Sequence, residues 1–277
     1  MKVGPRRWLT CGLVCLWAMA LAALGWPSHA AAQARGGAGG AGRGGGAQAP
    51  ATAPATAQAT AKTTAPIDLT GYWVSVVTQD WRWRMVTPAK GDYAGVPITL
   101  ASKRVGDAWD PAKDEAAGEQ CKAYGAAALM AMPTRLRIAW RDENTLTIET
   151  DAGTQTRQFH FGSSKPTGGP ATWQGESTAT WERPRPARGV PSRGGSLKVT
   201  TTRLRPGYLR KNGVPYSAAA TLTEFWDVST NPNGERWISI TSTVEDATYL
   251  REPWVTALNF KQERDGAKWE PTPCSAR

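Results

Sequence analysis

The sequence predicts an all-β domain, an antiparallel barrel of about eight to nine strands with one helix inserted after the first strand. Three observations carry this. From Gly71 onward, apolar and polar residues alternate with period two in short runs separated by turn signals. The runs are rich in Thr, Val, Trp and Ile, residue types that fit a pleated, half-buried surface. No run alternates with helical patterns as a parallel α/β sheet requires. Closing an antiparallel sheet on itself removes its unpaired edges, so a barrel is the economical arrangement.

Residues 1–34 read as a secretory signal peptide. Lys2, Arg6 and Arg7 form a basic start, and residues 9–26 are an uncharged apolar run. Ala30-Ala31-Ala32 or Ala32-Gln33-Ala34 then offers a small-residue cleavage site near Ala34. The alternative is an uncleaved membrane anchor, for which a run of 18 residues is barely long enough. Residues 35–66 are rich in Gly, Ala, Thr and Pro and cannot bury enough surface to offset their ordering entropy. They are expected to be a disordered tether spanning about 30 Å. An export signal implies a periplasmic or secreted protein. No other stretch approaches membrane-spanning length, so no integral membrane segment is expected after cleavage. The formal charge of +10 belongs largely to this N-terminal region. Lys2, Arg6, Arg7, Arg35, Arg43 and Lys62 precede residue 67, which leaves 27 basic against 23 acidic residues, or +4, for residues 67–277. That balance is ordinary, and no nucleic-acid partner is expected.

Residues 67–277 are read as a single domain. The first strand is expected over 72–78. Over 136–141, Leu136, Ile138 and Trp140 alternate with Arg137 and Arg141. Asp142-Glu143-Asn144 turns the chain into a strand at 145–150, and Asp151-Ala152-Gly153 turns it again into 154–161. Further runs cover 171–182, 196–205 and 220–228. Asn231-Pro232-Asn233-Gly234 is a hairpin signal into 236–244, and 254–263 ends the set. The helix starts at Asp110-Pro111, an N-cap followed by a first-turn proline, and its Ala-rich body puts Ala117, Cys121, Tyr124 and Ala128 on one face. Gly118 and Gly125 weaken it, and residues 85–109 before it read as a long loop. After signal cleavage two cysteines remain, Cys121 and Cys274. In an oxidising compartment they are expected to pair, and closing a 153-residue loop is worth about 5 kcal/mol in the chain-entropy model. Two buried free thiols are the alternative.

Asp68-Leu69-Thr70-Gly71-Tyr72-Trp73 resembles the Gly-x-Trp start of lipocalins and the opening strand of avidin-like barrels. It also resembles the Asp-Leu-Thr/Ser-Gly-x-Trp openings of many exported bacterial proteins. The run from Val244 to Trp254, VEDATYLREPW, is similar to a V-x-D-P-x-x-Y-x-x-P-W segment of those same proteins. The resemblance covers both ends of the domain, 68–97 and 221–274. It implies a lipocalin-like, calycin-type barrel and no particular activity. The chain departs from lipocalins in its mid-chain helix, in its length and in lacking a Thr-Asp-Tyr turn, so lipocalin ligand chemistry is not carried over.

Chemistry is bounded first by exclusion. The mature chain keeps one histidine, His160, so a three-histidine zinc site is impossible and a Cys/His site has too few ligands. Phosphate-loop, dinucleotide-binding and nucleophile-elbow patterns are missing, and no metal or cofactor is expected. The positive signal is Trp81-Arg82-Trp83-Arg84. In an extended chain the indoles share one face and the guanidiniums the other. Such a mouth can stack on a planar ligand and hold an anionic group. Alternatively, the indoles plug the barrel and the arginines are solvated or pair with Asp80. Lys90, Asp92 and Tyr93 would complete the rim. Eleven of the fourteen tryptophans lie beyond residue 66, which suits a lumen that holds a small apolar or aromatic molecule.

Binding or carrying such a molecule is the expected function. One alternative is an isomerase, cyclase or hydrolase working in the lumen through Glu245, Asp246, Tyr93 or His160. Glu245 and Asp246 are strand neighbours on opposite faces and make a poor acid/base dyad, and His160 opposes Phe159 and Phe161 and faces out if they face in. The other alternative is a solid barrel whose outer face docks an envelope partner.

Overall fold

In a computed structural model, which describes residues 59–162, 168–185 and 194–277, nine strands close into a barrel. In chain order the strands are β1 (Gly71–Val76), β2 (Arg135–Asp142), β3 (Thr145–Thr150), β4 (Thr156–Phe161), β5 (Glu176–Glu182) and β6 (Ser196–Thr202). They continue with β7 (Gly207–Arg210), β8 (Val214–Tyr216), β9 (Thr221–Thr230), β10 (Arg236–Glu245) and β11 (Trp254–Glu263). Around the ring the order is β1-β11-β10-β9-β6-β5-β4-β3-β2, while β7 and β8 form a separate hairpin. The first and last strands meet at the seam, with Tyr72 opposite Glu263.

Period-two alternation decides what fills the barrel. Leu136 and Ile138, Leu146 and Ile148, Phe159, Leu197 and Val199, Trp226, Ile238 and Ile240, and Phe260 are all buried and belong to one core with Trp73. Phe159 meets Trp226 edge-on at 5.5 Å. The lumen that was expected to stay open is filled by these side chains, and of the described tryptophans only Trp73 and Trp226 are buried in it. Toward the first turns of β4 and β9 the interior becomes polar. Arg157 donates to both carboxylate oxygens of Glu224, at 3.0 and 2.6 Å, and to Thr201 Oγ1 at 3.3 Å, while Thr201 shares a 2.8 Å bond with Ser177. Both charged side chains are wholly out of contact with solvent.

Helices close one end of the barrel. Between β1 and β2 lie α1 (Trp81–Arg84), α2 (Leu100–Ala108), α3 (Pro111–Ala116), a 3-10 turn over Lys122–Tyr124, and α4 (Ala126–Leu129). Tyr124, Leu129 and Met130 from this stretch join the barrel core. The opposite end is covered by the segment before β1. The Trp181 indole donates to Ala61 O at 2.8 Å, and Ala61 N donates to Asn144 Oδ1 at 3.0 Å.

Several expectations need correcting. The barrel is mixed, because β4 and β5 run parallel. Parallel neighbours need a crossover connection, supplied by residues 162–175. The single helix expected from Asp110 comes in three pieces. Gly118, at φ +70, ends the first piece. A polar knot then holds the chain off a straight path, with Lys122 on Asp114 at 2.8 Å and on Glu119 at 2.5 Å, and Tyr208 donating to Asp114 at 2.9 Å. The long loop before it contains α2. Ser102 and Gly106 are that helix's buried residues, a small-residue face that leaves no apolar stripe in the sequence. Trp81–Arg84 is a helical turn rather than a strand. The end of the expected tether, residues 59–66, packs on the barrel through the bonds above, while residues 1–58 lie outside the described residues. Among the described residues no helix is long and apolar enough to cross a membrane.

The buried pair sets the first test. Removing one partner strands the other charge in the lumen, so Glu224→Leu should cost about 3–5 kcal/mol in urea unfolding, while Arg157→Met/Glu224→Leu together should recover most of that loss. A single variant as stable as the parent would contradict this role for the pair.

Candidate functional site

The site begins with unequal strands. β1 stops at Val76, opposite Asn259, whereas β11 starts at Trp254. Over Trp254–Leu258, β11 is laddered to β10 and carries no strand on its other edge among the described residues. The chain leaving β1 turns back toward that edge. Asp80 takes a left-handed conformation (φ 52), which an aspartate tolerates, and its main-chain oxygen receives the N–H groups of Trp83 at 2.9 Å and Arg84 at 3.1 Å. Between this turn, the free edge and the segment entering β2 lies a cavity of about 350 Å³. Its walls are aromatic at Trp83, Trp254 and Tyr124 and aliphatic at Met132, Leu209 and Leu258.

The charged residues of the lining are Arg84, Arg210, Lys211, Arg277 and Asp80. Arg84 donates through Nε to Ala131 O at 2.6 Å and through Nη1 to Gln79 O at 3.4 Å, and its buried Nη2 has no acceptor. Arg210, only 7% exposed, donates through Nη1 to Ala94 O at 2.6 Å. Its guanidinium carbon sits 4.8 Å from the Trp83 ring centre and 5.7 Å from that of Trp254. Among the described residues neither arginine has a carboxylate within ion-pair distance. Burial pushes both guanidiniums below their ordinary pKa, opposed by Asp80 in both cases and also by Asp92 for Arg210. Lys211 is bonded to the Arg277 main-chain oxygen and reaches the Tyr124 hydroxyl at 3.5 Å. Cys121 and Cys274 are disulfide-bonded with Cα atoms 5.1 Å apart, which ties the 3-10 turn carrying Tyr124 to the segment carrying Arg277. Gly153 makes room for that wall, since a Cβ there would lie 2.2 Å from the Tyr124 ring.

Of the residues expected at a ligand mouth, Trp83 and Arg84 line the cavity. Arg82 pairs with Asp92 at 2.9 Å and lies 4.8 Å from the centre of the Trp83 ring. Trp81 is 64% exposed, and Lys90 is exposed; neither lines the cavity. Tyr93 belongs to a second core beneath α2, with its hydroxyl donating to Asp107 at 2.8 Å. The residues weighed for acid/base work are also elsewhere. Asp246 accepts from Ser217 N, Ser217 Oγ and Thr248 N at 2.6 to 2.9 Å and shapes a turn, while Glu245 is exposed. Phe159 and Phe161 do face the core; His160, on the opposite face, is nonetheless buried, and burial lowers its pKa.

Sequence reasoning missed Arg210, Lys211, Trp254 and Tyr124. One signal was present for the first two. Asn212-Gly213 is a strong hairpin dipeptide, and it joins β7 to β8 with Gly213 at φ 82. Asn212 is fully buried and donates to Ala89 O and Asp92 O at 3.0 and 2.8 Å, which fastens the loop after α1 to the hairpin that presents Arg210. Among the described residues no group of three or more His, Cys, Asp or Glu side chains is placed to hold a metal ion. No family model, curated protein or solved structure matches the chain.

Tyrosine ionisation tests this packing. Tyr93 and Tyr208 are each pushed up to about 12 from an ordinary 10.0, first by burial and then by their hydrogen bonds to Asp107 and Asp114. A raised pKa keeps the folded state protonated where the unfolded chain ionises. The stability these groups contribute is therefore intact below pH 10 and drains away as pH rises through 12. Burial raises the Tyr216 hydroxyl as well, so ultraviolet phenolate titration should show three late-ionising tyrosines, and Tyr208→Phe should remove one; ionisation of every tyrosine near its ordinary value would contradict the assignment.

Proposed function

We propose that the protein binds or carries a small apolar or aromatic molecule, held in the cavity at the helical end of the barrel rather than in the filled lumen. The observation that carries this reading is the cavity itself, about 350 Å³, with Trp83, Trp254 and Tyr124 around an aliphatic floor. Pockets that bury a small ligand have this size and makeup, mostly apolar with a few placed polar groups. The N-terminal export signal and the lipocalin-like opening strand support a periplasmic or secreted carrier. The barrel-enzyme reading draws less support, since Tyr93, His160, Glu245 and Asp246 all stand away from the cavity lining.

Tryptophan fluorescence tests the proposal. Trp83 and Trp254 face the same space, so titration with a panel of apolar and aromatic molecules should give saturable quenching. Ala131→Phe, which narrows the cavity, should weaken the best ligand by about tenfold or more. Native mass spectrometry of protein from an exporting host should show a small molecule released on denaturation. A flat fluorescence response across the panel, together with a bare mass, would count against a carrier.

A further inference from the structure

Resting on the reading above, we propose that the cavity selects an organic carboxylate, an apolar or aromatic acid whose head group lies between Arg84 and Arg210. A buried cation is normally paired, because transfer out of water is costly unless an opposite charge and hydrogen bonds replace the solvent. Elsewhere in the same barrel Arg157 is treated in that way, with both Glu224 oxygens on its fork. Arg84 and Arg210 are not. Arg84 keeps a buried Nη2 without an acceptor, and the one hydrogen bond Arg210 makes among the described residues is to Ala94 O. Asp80, the one carboxylate side chain in the lining, sits exposed at the turn and beyond ion-pair distance of either arginine.

The chemistry around the two guanidiniums narrows the anion. Lys211 is already engaged with the Arg277 main-chain oxygen and Arg277 is exposed, which leaves Arg84 and Arg210 as the less exposed cations of the lining. A planar carboxylate meets a guanidinium fork bidentately, and its single charge costs less to bring into a largely apolar cavity than the two charges of a phosphate dianion. The indoles of Trp83 and Trp254 flank Arg210 directly, so a ligand that reaches the cation also covers aromatic surface. The head is charged and the body is not.

Calorimetric titration of the exported protein with 1-naphthoate, 1-naphthamide and 1-naphthyl phosphate tests the assignment. The naphthoate should bind at least about tenfold more tightly than the neutral amide, and more tightly than the phosphate ester. Arg84→Gln and Arg210→Gln should each lower the ratio of acid to amide affinity by about tenfold. If the amide binds as well as the acid, or the phosphate binds better, the carboxylate assignment fails while the cavity as a binding site stands. If none of the three binds up to about 1 mM, the cavity reading falls and takes the assignment with it. The parent-protein comparison decides the matter even if a variant does not fold.

Discussion

The mismatch in length between β1 and its neighbour governs the rest of the molecule. β1 is six residues long, while β9, β10 and β11 each run for ten. A full-length first strand would ladder against Trp254–Leu258 and leave solid wall there. Stopping at Val76 instead frees a stretch of backbone edge whose polar groups need water or another partner and which would otherwise offer itself to other chains. The chain covers it with a turn and short helices, which follow the edge without filling the space beside it. The helical cap, the hairpin pinned through Asn212 and the disulfide-tied C-terminal segment are all ways of roofing that opening.

The arginine of the lumen and the two arginines beside the cavity are held in different ways. Arg157 faces both carboxylate oxygens of Glu224 through Nη1 and Nη2, and Thr201 and Ser177 extend its network. Such a cluster holds β4, β5, β6 and β9 in register and asks for nothing further. Arg84 and Arg210 are held in place by main-chain carbonyls and indole faces, which orient a guanidinium without neutralising it. That leaves local charge facing a largely apolar space.

The barrel strands were legible because inward positions recur at about every second residue, and Thr145–Thr150 and Trp254–Glu263 fall where the alternation puts them; the β7–β8 hairpin, buried at nearly every residue, was not foreseen. The helical end was less so. Its segments pack through small residues, glycine turns and a polar knot, none of which leaves a periodic trace. The candidate site was legible only in its local part. Trp83 and Arg84 announce themselves within one short run, but Tyr124, Arg210 and Trp254 reach the cavity from three other parts of the chain. Which distant residues meet depends on where a strand stops, and the period-two pattern marks a strand's body far better than its end. The same blindness affected Trp81–Arg84, whose alternation of indole and guanidinium reads equally well as a strand or as a turn of helix.

Nine is an odd number, and in a closed ring parity has consequences. Directions that alternate from strand to strand cannot return to their starting sense after an odd count, so at least one neighbouring pair must be frustrated into running the same way. In this ring the frustration sits between β4 and β5. Hairpins create only antiparallel neighbours, and inserting or deleting one changes the count by two. Growth or shrinkage by hairpins therefore conserves the parallel seam, however the ring is resized. Abolishing it takes the gain or loss of a single strand, with a rerouting of the connection from one end of the barrel to the other. The ring is permissive toward paired changes and closed to solitary ones.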